Sequence, residues 1–132
     1  MTPSTRAVWS RLFGDRGERA AAKYLRRQGL RVLARGYRTP LGEIDLIARE
    51  GDTLVFVEVK TRASGSPAEA VTPEKQRRLT LAALRFLKEH GLLECRCRFD
   101  VVALVWPEGR GAPAVEHIRD AFPAVGRGQF HR

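Results

Sequence analysis

The sequence predicts an α/β fold: a small mixed β-sheet, built as an antiparallel meander plus one parallel strand and flanked by helices, in the order αβββαβ(β). Three observations carry this. Residues 43–49 and 53–62 are two strand-like runs joined by a tight turn, with β-branched and apolar residues alternating with others. A helix start at Thr72-Pro73 follows them and leads to an amphipathic stretch ending at Glu89 or His90. Beyond that helix, Cys97 to Trp106 is an apolar strand. A strand reached through a helix lies parallel to its neighbour by a right-handed crossover.

Residues 1–14 read as an N-terminal extension, with a cap at Ser4 or Thr5 and with Trp9, Leu12 and Phe13 at near-helical spacing for packing. Gly14 and Gly17 loosen the link, and the first strong helix starts near Asp15. Glu18, Ala21, Ala22 and Leu25 share one of its faces, Arg26 and Arg27 flank it, and Gly29 stops it. Leu30 to Ala34 form a strand, and Arg35 to Gly42 its polar continuation and turn.

A two-residue Gly51-Asp52 loop would pair Glu50 with Thr53 and fix the hairpin register. Counting outward, Ala48 faces Val55, Leu46 faces Val57 and Ile44 faces Val59, which makes one wholly apolar face. On the other face Asp45 falls opposite Glu58, and Glu43 opposite Lys60. A three-residue loop would separate the two carboxylates but would also scramble the apolar face, so the hydrophobic pattern opposes it.

Ala63 to Val71, with Ser64-Gly65-Ser66-Pro67, reads as a mobile loop. Thr72 then caps a helix with Pro73 at its first position. Leu79, Ala82, Ala83, Phe86 and Leu87 make its apolar stripe, Lys75, Arg77, Arg78, Arg85 and Lys88 make it basic, and Gly91 stops it. Pro107 to Pro113 is a loop, Val115 to Ile118 a short edge strand, and residues 123–132 a basic tail. One domain, residues 15–122, lies between extension and tail.

A chain of 132 residues is enough for one domain with a proper core. No run is long and apolar enough to span a bilayer, and Arg6, Arg11, Asp15 and Arg16 interrupt any signal-peptide core, so a cytoplasmic location is expected. Lys and Arg total 24 against 15 Asp and Glu, a net charge of +9, and only Lys23, Lys60, Lys75 and Lys88 are lysines. Arginine is the better bidentate partner for phosphate, so a polyanionic partner is indicated, with nucleic acid ahead of a membrane surface. The plain alternative is a GC-rich genome, which enriches arginine without functional meaning. Cys95 and Cys97 are the only cysteines; they support neither a disulfide framework nor a structural zinc site.

Two carboxylates placed across from one another in a sheet repel. A bound divalent cation is the commonest reason for a fold to keep them. Asp45, Glu58 and a lysine two residues further, Lys60, are the equipment for metal-assisted cleavage of a phosphodiester. The bland reading is an ionic cluster at a sheet edge. Glu43 reads as a partner for Lys60 or a substrate-side group, Asp100 as structural beside Arg98 and Phe99, and His90, His117 and His131 as scattered residues without metal spacing.

These residues carry a resemblance. The chain resembles the YraN-like family of bacterial proteins, which look like members of the PD-(D/E)xK nuclease superfamily, with its restriction-endonuclease-like fold, closest to archaeal Holliday-junction resolvases. The matching positions are Gly17-Glu18 with Ala21 and Leu25, Gly42 to Ile47, Phe56 to Arg62, Lys75-Gln76, and Arg98 to Val102, spread over roughly residues 15–122. A lone Glu-x-Lys is weak; the ordered set is specific. Ile44 stands where the superfamily's name has Pro, and Gly36 where relatives are expected to have Asn; both Gly and Asn tolerate positive φ.

The resemblance implies that Asp45 and Glu58 hold the metal and that Lys60 orients or activates water. It implies that Glu18 is a further metal ligand, as in some resolvase-like members. Lys75 and Gln76 match a basic helix start that often faces the phosphate, and Arg62 extends the motif as a substrate-side residue. The expected activity is a metal-dependent endonuclease acting on nucleic acid, DNA first, with branched DNA among its substrates. Oxygen-only ligands point to Mg²⁺ or Mn²⁺. Cutting both strands of a branch needs two sites, so a homodimer is expected by analogy. The alternative is a non-catalytic nucleic-acid-binding protein with a vestigial nuclease site; a weaker one is an interaction module.

Overall fold

The computed structural model describes residues 5–62, 71–106 and 111–124. They form α1 (Thr5–Arg27), β1 (Arg31–Thr39), β2 (Gly42–Glu50), β3 (Thr53–Arg62), α2 (Pro73–Glu89), β4 (Arg96–Val105) and β5 (Ala114–Phe122). The five strands lie side by side in chain order. Only β3 and β4 run parallel; the other neighbours are antiparallel. This is the α/β class with a mixed sheet, in the order αβββαββ.

The sheet is the middle of three layers. On one face Ala21 and Leu25 of α1 pack on Leu46, Val55, Val57 and Val102. On the other, Leu79, Ala83 and Phe86 of α2 pack on Ile47, Phe56 and Phe99. Cover on both faces explains why β4 reads as a continuous apolar run. α2 begins as its sequence signals indicate, with the Thr72 hydroxyl accepting from the Lys75 N–H and Pro73 at the first position. No described helix is long and apolar enough to cross a membrane.

The hairpin has the two-residue loop, with Glu50 paired to Thr53, Ala48 to Val55 and Leu46 to Val57. There the β2–β3 ladder ends, so Asp45–Glu58 and Glu43–Lys60 are not the direct ladder pairs that the register predicts. The wholly apolar face is corrected too: Ile44 packs with Ile47 in the α2-side cluster, whereas Leu46 faces α1. The cause lies on the neighbouring strand. Gly36 adopts φ +63° between the Arg35–Leu46 and Tyr37–Ile44 pairs, which twists β1 and β2 together at Asp45. Ala34 and Tyr37, three residues apart, both lie against the α2-side cluster as a result.

Two further elements, α1 and β5, differ from expectation. α1 begins at Thr5 rather than near Asp15 and runs straight through Gly14 and Gly17. Isolated glycines cost a helix only about 1 kcal/mol each, which a long helix absorbs. β1 runs on to Thr39 as the polar continuation expected of it, and the turn follows. β5 extends from Ala114 to Phe122, past a register break opposite Phe99–Val101 where Asp120 has φ +50°. Of the expected mobile loop, residues 63–70 lie outside the described residues, as do Ser4, residues 107–110 and 125–132, and the side chains of Trp9, Leu12 and Phe13.

Asp100 is structural, as its sequence context suggested. It is fully buried and accepts hydrogen bonds from Arg98 Nε at 2.9 Å, His117 Nε2 at 2.8 Å and the Asp120 N–H at 2.9 Å. Burial alone would raise its pKa; the His117, Arg98 and Asp120 bonds outweigh that and hold it below the ordinary aspartate range. The Tyr24 hydroxyl lies 3.2 Å from His117 Nδ1, so the network also ties β5 to α1.

Candidate metal centre

Two close approaches deliver the acidic residues. A Cβ on Gly17 would stand 2.5 Å from Thr61 Oγ1, so glycine lets α1 lie this near β3 without displacing the Thr61 hydroxyl. That contact brings the next residue, Glu18, to the sheet. A Cβ on Gly42 would stand 2.7 Å from the Arg78 carbonyl oxygen, so β2 begins against the backbone of α2. Its next residue is Glu43, and Asp45, two residues on, brings its carboxylate to the same place.

Carboxylate oxygens of Glu18, Glu43 and Asp45 lie within 4.8 Å of one another. Oxygens on opposite sides of a magnesium-sized ion are about 4.2 Å apart. The three therefore need only small movements to share one hard divalent cation, and the donor set is all oxygen. They could hold a metal ion. The group sits toward the carboxyl end of the parallel β3–β4 pair, the usual ligand-binding end of parallel strands.

The electrostatics fit a group short of positive charge. Burial, with the neighbouring Glu58 and then Glu18, pushes the Asp45 carboxyl up to about 8, against the opposing effects of the Val59 N–H bond and Lys75. Burial and the nearby Glu43 raise Glu18. Lys75 is also raised: burial works against its charge, but its bond to Glu58 and the fields of Glu58, Asp45 and Glu43 prevail.

Glu58 is buried and ion-paired with Lys75, Nζ to Oε1 at 2.5 Å. It lines an open cleft of about 460 Å³ together with Glu43, Asp45, Lys75 and Arg78. So the structure brings together Glu18, Glu43 and Asp45 as the oxygen group, with Glu58 and Lys75 beside it. Lys60 is half-buried two residues beyond Glu58, on the same side by strand alternation. Gln76 is elsewhere engaged: its Nε2 donates to the Val71 carbonyl at 2.8 Å and fastens the start of α2. The Arg62 side chain lies outside the described residues.

Glu43, expected as a partner for Lys60 or a substrate-side group, pairs with Arg38 at 3.4 Å and lies in the oxygen group. The signal was present, since Glu43 and Asp45 stand two residues apart on one strand. Arg78 in the cleft wall had no local signal beyond the basic face of α2.

The sequence pattern of the family described as "Uncharacterised protein family UPF0102" matches residues 17–104. That span runs from the glycine pressed against Thr61 to the end of the parallel strand pair. A UPF0102 protein of Rhodococcus jostii is 53% identical over 112 residues, covering 83% of this chain and 94% of the relative. One from Rhodopirellula baltica is 51% identical over 124 residues, 89% of this chain and 74% of its own. One from Geobacter sulfurreducens is 48% identical over 118 residues, 86% and 90% respectively. With its family pattern spanning both helices and four strands, and with relatives about half identical over three quarters or more of their length, the chain belongs to the UPF0102 family, the YraN-like proteins.

Proposed function

We propose that the chain is a divalent-cation-dependent endonuclease of the PD-(D/E)xK kind, hydrolysing nucleic-acid phosphodiesters, DNA first. The observation that carries the reading is the convergence of Glu18, Glu43 and Asp45 within 4.8 Å, beside Glu58 and Lys75 in an open cleft. A partly exposed acidic group in which the Asp45 carboxyl is pushed up to about 8 is disfavoured on its own and relieved by a cation.

Asp45, Glu18 and Glu43 would supply the oxygens for Mg²⁺ or Mn²⁺, with Glu58 joining them. When bound, such an ion polarises a phosphate oxygen and lowers the pKa of a water molecule. Lys60 stabilises the charge that develops on the phosphoryl oxygens or holds the hydroxide. Lys75 sits between Glu58 and solvent, half exposed, where a substrate phosphate can reach its ammonium. A homodimer would present two such sites to a branched substrate.

A second reading, a nucleic-acid-binding protein with a vestigial site, has one observation in its favour. The Glu58–Lys75 pair already neutralises one of the carboxylates a cation would use. The test is cleavage of labelled branched, single-stranded and duplex DNA and RNA with Mg²⁺ or Mn²⁺, using wild type and Asp45→Asn. Metal-dependent cutting that Asp45→Asn abolishes supports the nuclease. Binding without cutting on every substrate supports the vestigial site.

A further inference from the structure

The β1–β2 turn beside the acidic group is rigid, apolar and exposed. Leu41 is 48% exposed, more than any other large apolar residue described. Exposure here does not come from a loose loop. The Thr39 hydroxyl accepts from the N–H groups of Leu41 and Gly42 at 3.0 Å each and donates to the Gly42 carbonyl at 3.0 Å. Pro40 fixes its own φ, and Gly42 is seated on the Arg78 carbonyl. The backbone of the tip is thus pinned from both sides, and it presents Leu41 half-exposed at the rim of a cleft.

An open cleft of about 580 Å³ lies between this turn and α2. It shares Gly42, Glu43 and Arg78 with the cleft that contains Asp45 and Glu58. Its α2 wall carries Arg77 and Arg78, which both bond the same Glu74 oxygen, at 3.1 Å each. Two guanidinium groups on one carboxylate leave a net positive charge and further N–H donors, and both arginines line the cleft. An apolar tip, an arginine-lined channel and an acidic group thus follow one another along one surface.

We propose that Pro40 and Leu41 act as a wedge stacked against the last base pair at a break in a duplex, while Arg77 and Arg78 hold the backbone of the strand led away through the cleft. The preferred ligand is then a nucleic acid with a splayed strand, a fork or flap, rather than a continuous duplex. Apolar side chains that enter a base step must unstack it, and a pre-splayed junction spares that cost. The proposal rests on the nucleic-acid reading above and adds the residues that set its selectivity.

The test uses binding, in metal-free buffer, to two DNA duplexes of equal sequence, one continuous and one forked, with 2-aminopurine beside the fork. Wild type is expected to bind the fork on the order of tenfold tighter and to change the 2-aminopurine fluorescence on binding. Leu41→Ser, at an exposed position that should leave melting unchanged, is expected to bring the preference within about threefold, keep continuous-duplex affinity and lose the fluorescence change. Arg77→Ala and Arg78→Ala are each expected to weaken fork binding and lower its salt slope by about one. Equal binding of both duplexes by wild type, or an undiminished preference and fluorescence change in Leu41→Ser, overturns the wedge. Fork binding with no cutting under Mg²⁺ or Mn²⁺ would sink the nuclease and leave the wedge. Cutting with no fork preference would do the reverse.

Discussion

Asp45 stands in for a strand neighbour of Val59. Its Oδ2 accepts the Val59 N–H at 2.8 Å, just past the last β2–β3 pair, Leu46 with Val57. The two strands part there, and the carboxylate fills the vacated hydrogen bond while reaching the oxygen group. The same carboxylate therefore serves β3 and belongs to the oxygen group.

Asp45→Asn separates these roles. The amide oxygen can still accept from Val59, but the charge that Glu58 and Glu18 oppose is gone. Metal-free protein should be as stable as wild type or more so, and metal titration should show lost affinity. The sign of the pH effect follows from the raised pKa, about 8 against an ordinary 3.8. Between those values the folded state keeps a proton that the unfolded state has released. Stability from this group is therefore greatest below about 4 and falls as pH rises toward 8. Asp45→Asn should flatten that fall, measured as the wild-type-minus-variant difference in urea unfolding from pH 4 to 8.

Gly42→Ala tests the seating of β2 on α2. Its Cβ would meet a backbone oxygen at 2.7 Å, which has no rotamer to yield. A loss of about 1–3 kcal/mol is expected from overpacking, with weakened metal binding because Glu43 moves with the strand. Gly17→Ala should cost less, since its obstacle is the Thr61 hydroxyl, which can turn. Denaturant unfolding and metal titration of both variants check the order.

Hairpin register was legible because the apolar set from Leu46 to Val57 fits only one parity. The turn of Ile44 to the α2 side was not legible, because it originates at Gly36 on another strand. Glu43's place in the oxygen group was available from its parity with Asp45. The Lys75–Glu58 pair crosses a long connection, and no local pattern encodes it. For the same reason His117 looked idle, although it meets Asp100 across the β4–β5 edge and Tyr24 from α1.

Asp100→Ala should be among the most damaging changes far from the cleft. It strips partners from Arg98, His117 and the Asp120 N–H at a fully buried position. Breaking a buried charge pair from one side costs about 3–5 kcal/mol. Because the Asp100 pKa is held low, its contribution is present above the ordinary aspartate range and is lost as pH falls through its folded value. Urea unfolding of wild type and variant at neutral and acid pH measures both effects.

Nucleic-acid affinity should fall steeply with salt, since a chain of net charge +9 releases counterions when its arginines meet phosphates. Titration of one labelled DNA at two salt concentrations is sufficient. Affinity that ignores salt would remove the polyanion from consideration as partner.

The two lysines near the acidic group should separate in kind. Lys75 holds Glu58 and adds positive charge beside Asp45. Lys75→Ala should free Glu58 for a cation, so divalent affinity should rise or hold while metal-free stability drops, since a buried carboxylate loses its partner. Lys60 lies one strand repeat further and, in the proposed nuclease, would contribute only when charge develops on the phosphoryl group. Lys60→Ala should leave metal affinity and melting near wild type but reduce kcat on the order of a hundredfold, with KM little changed. Metal titration, melting with and without Mg²⁺, and steady-state cleavage resolve the two. If Lys60→Ala cuts at the wild-type rate, Lys60 has no part in the transition state, and Lys75 becomes the lysine of the site.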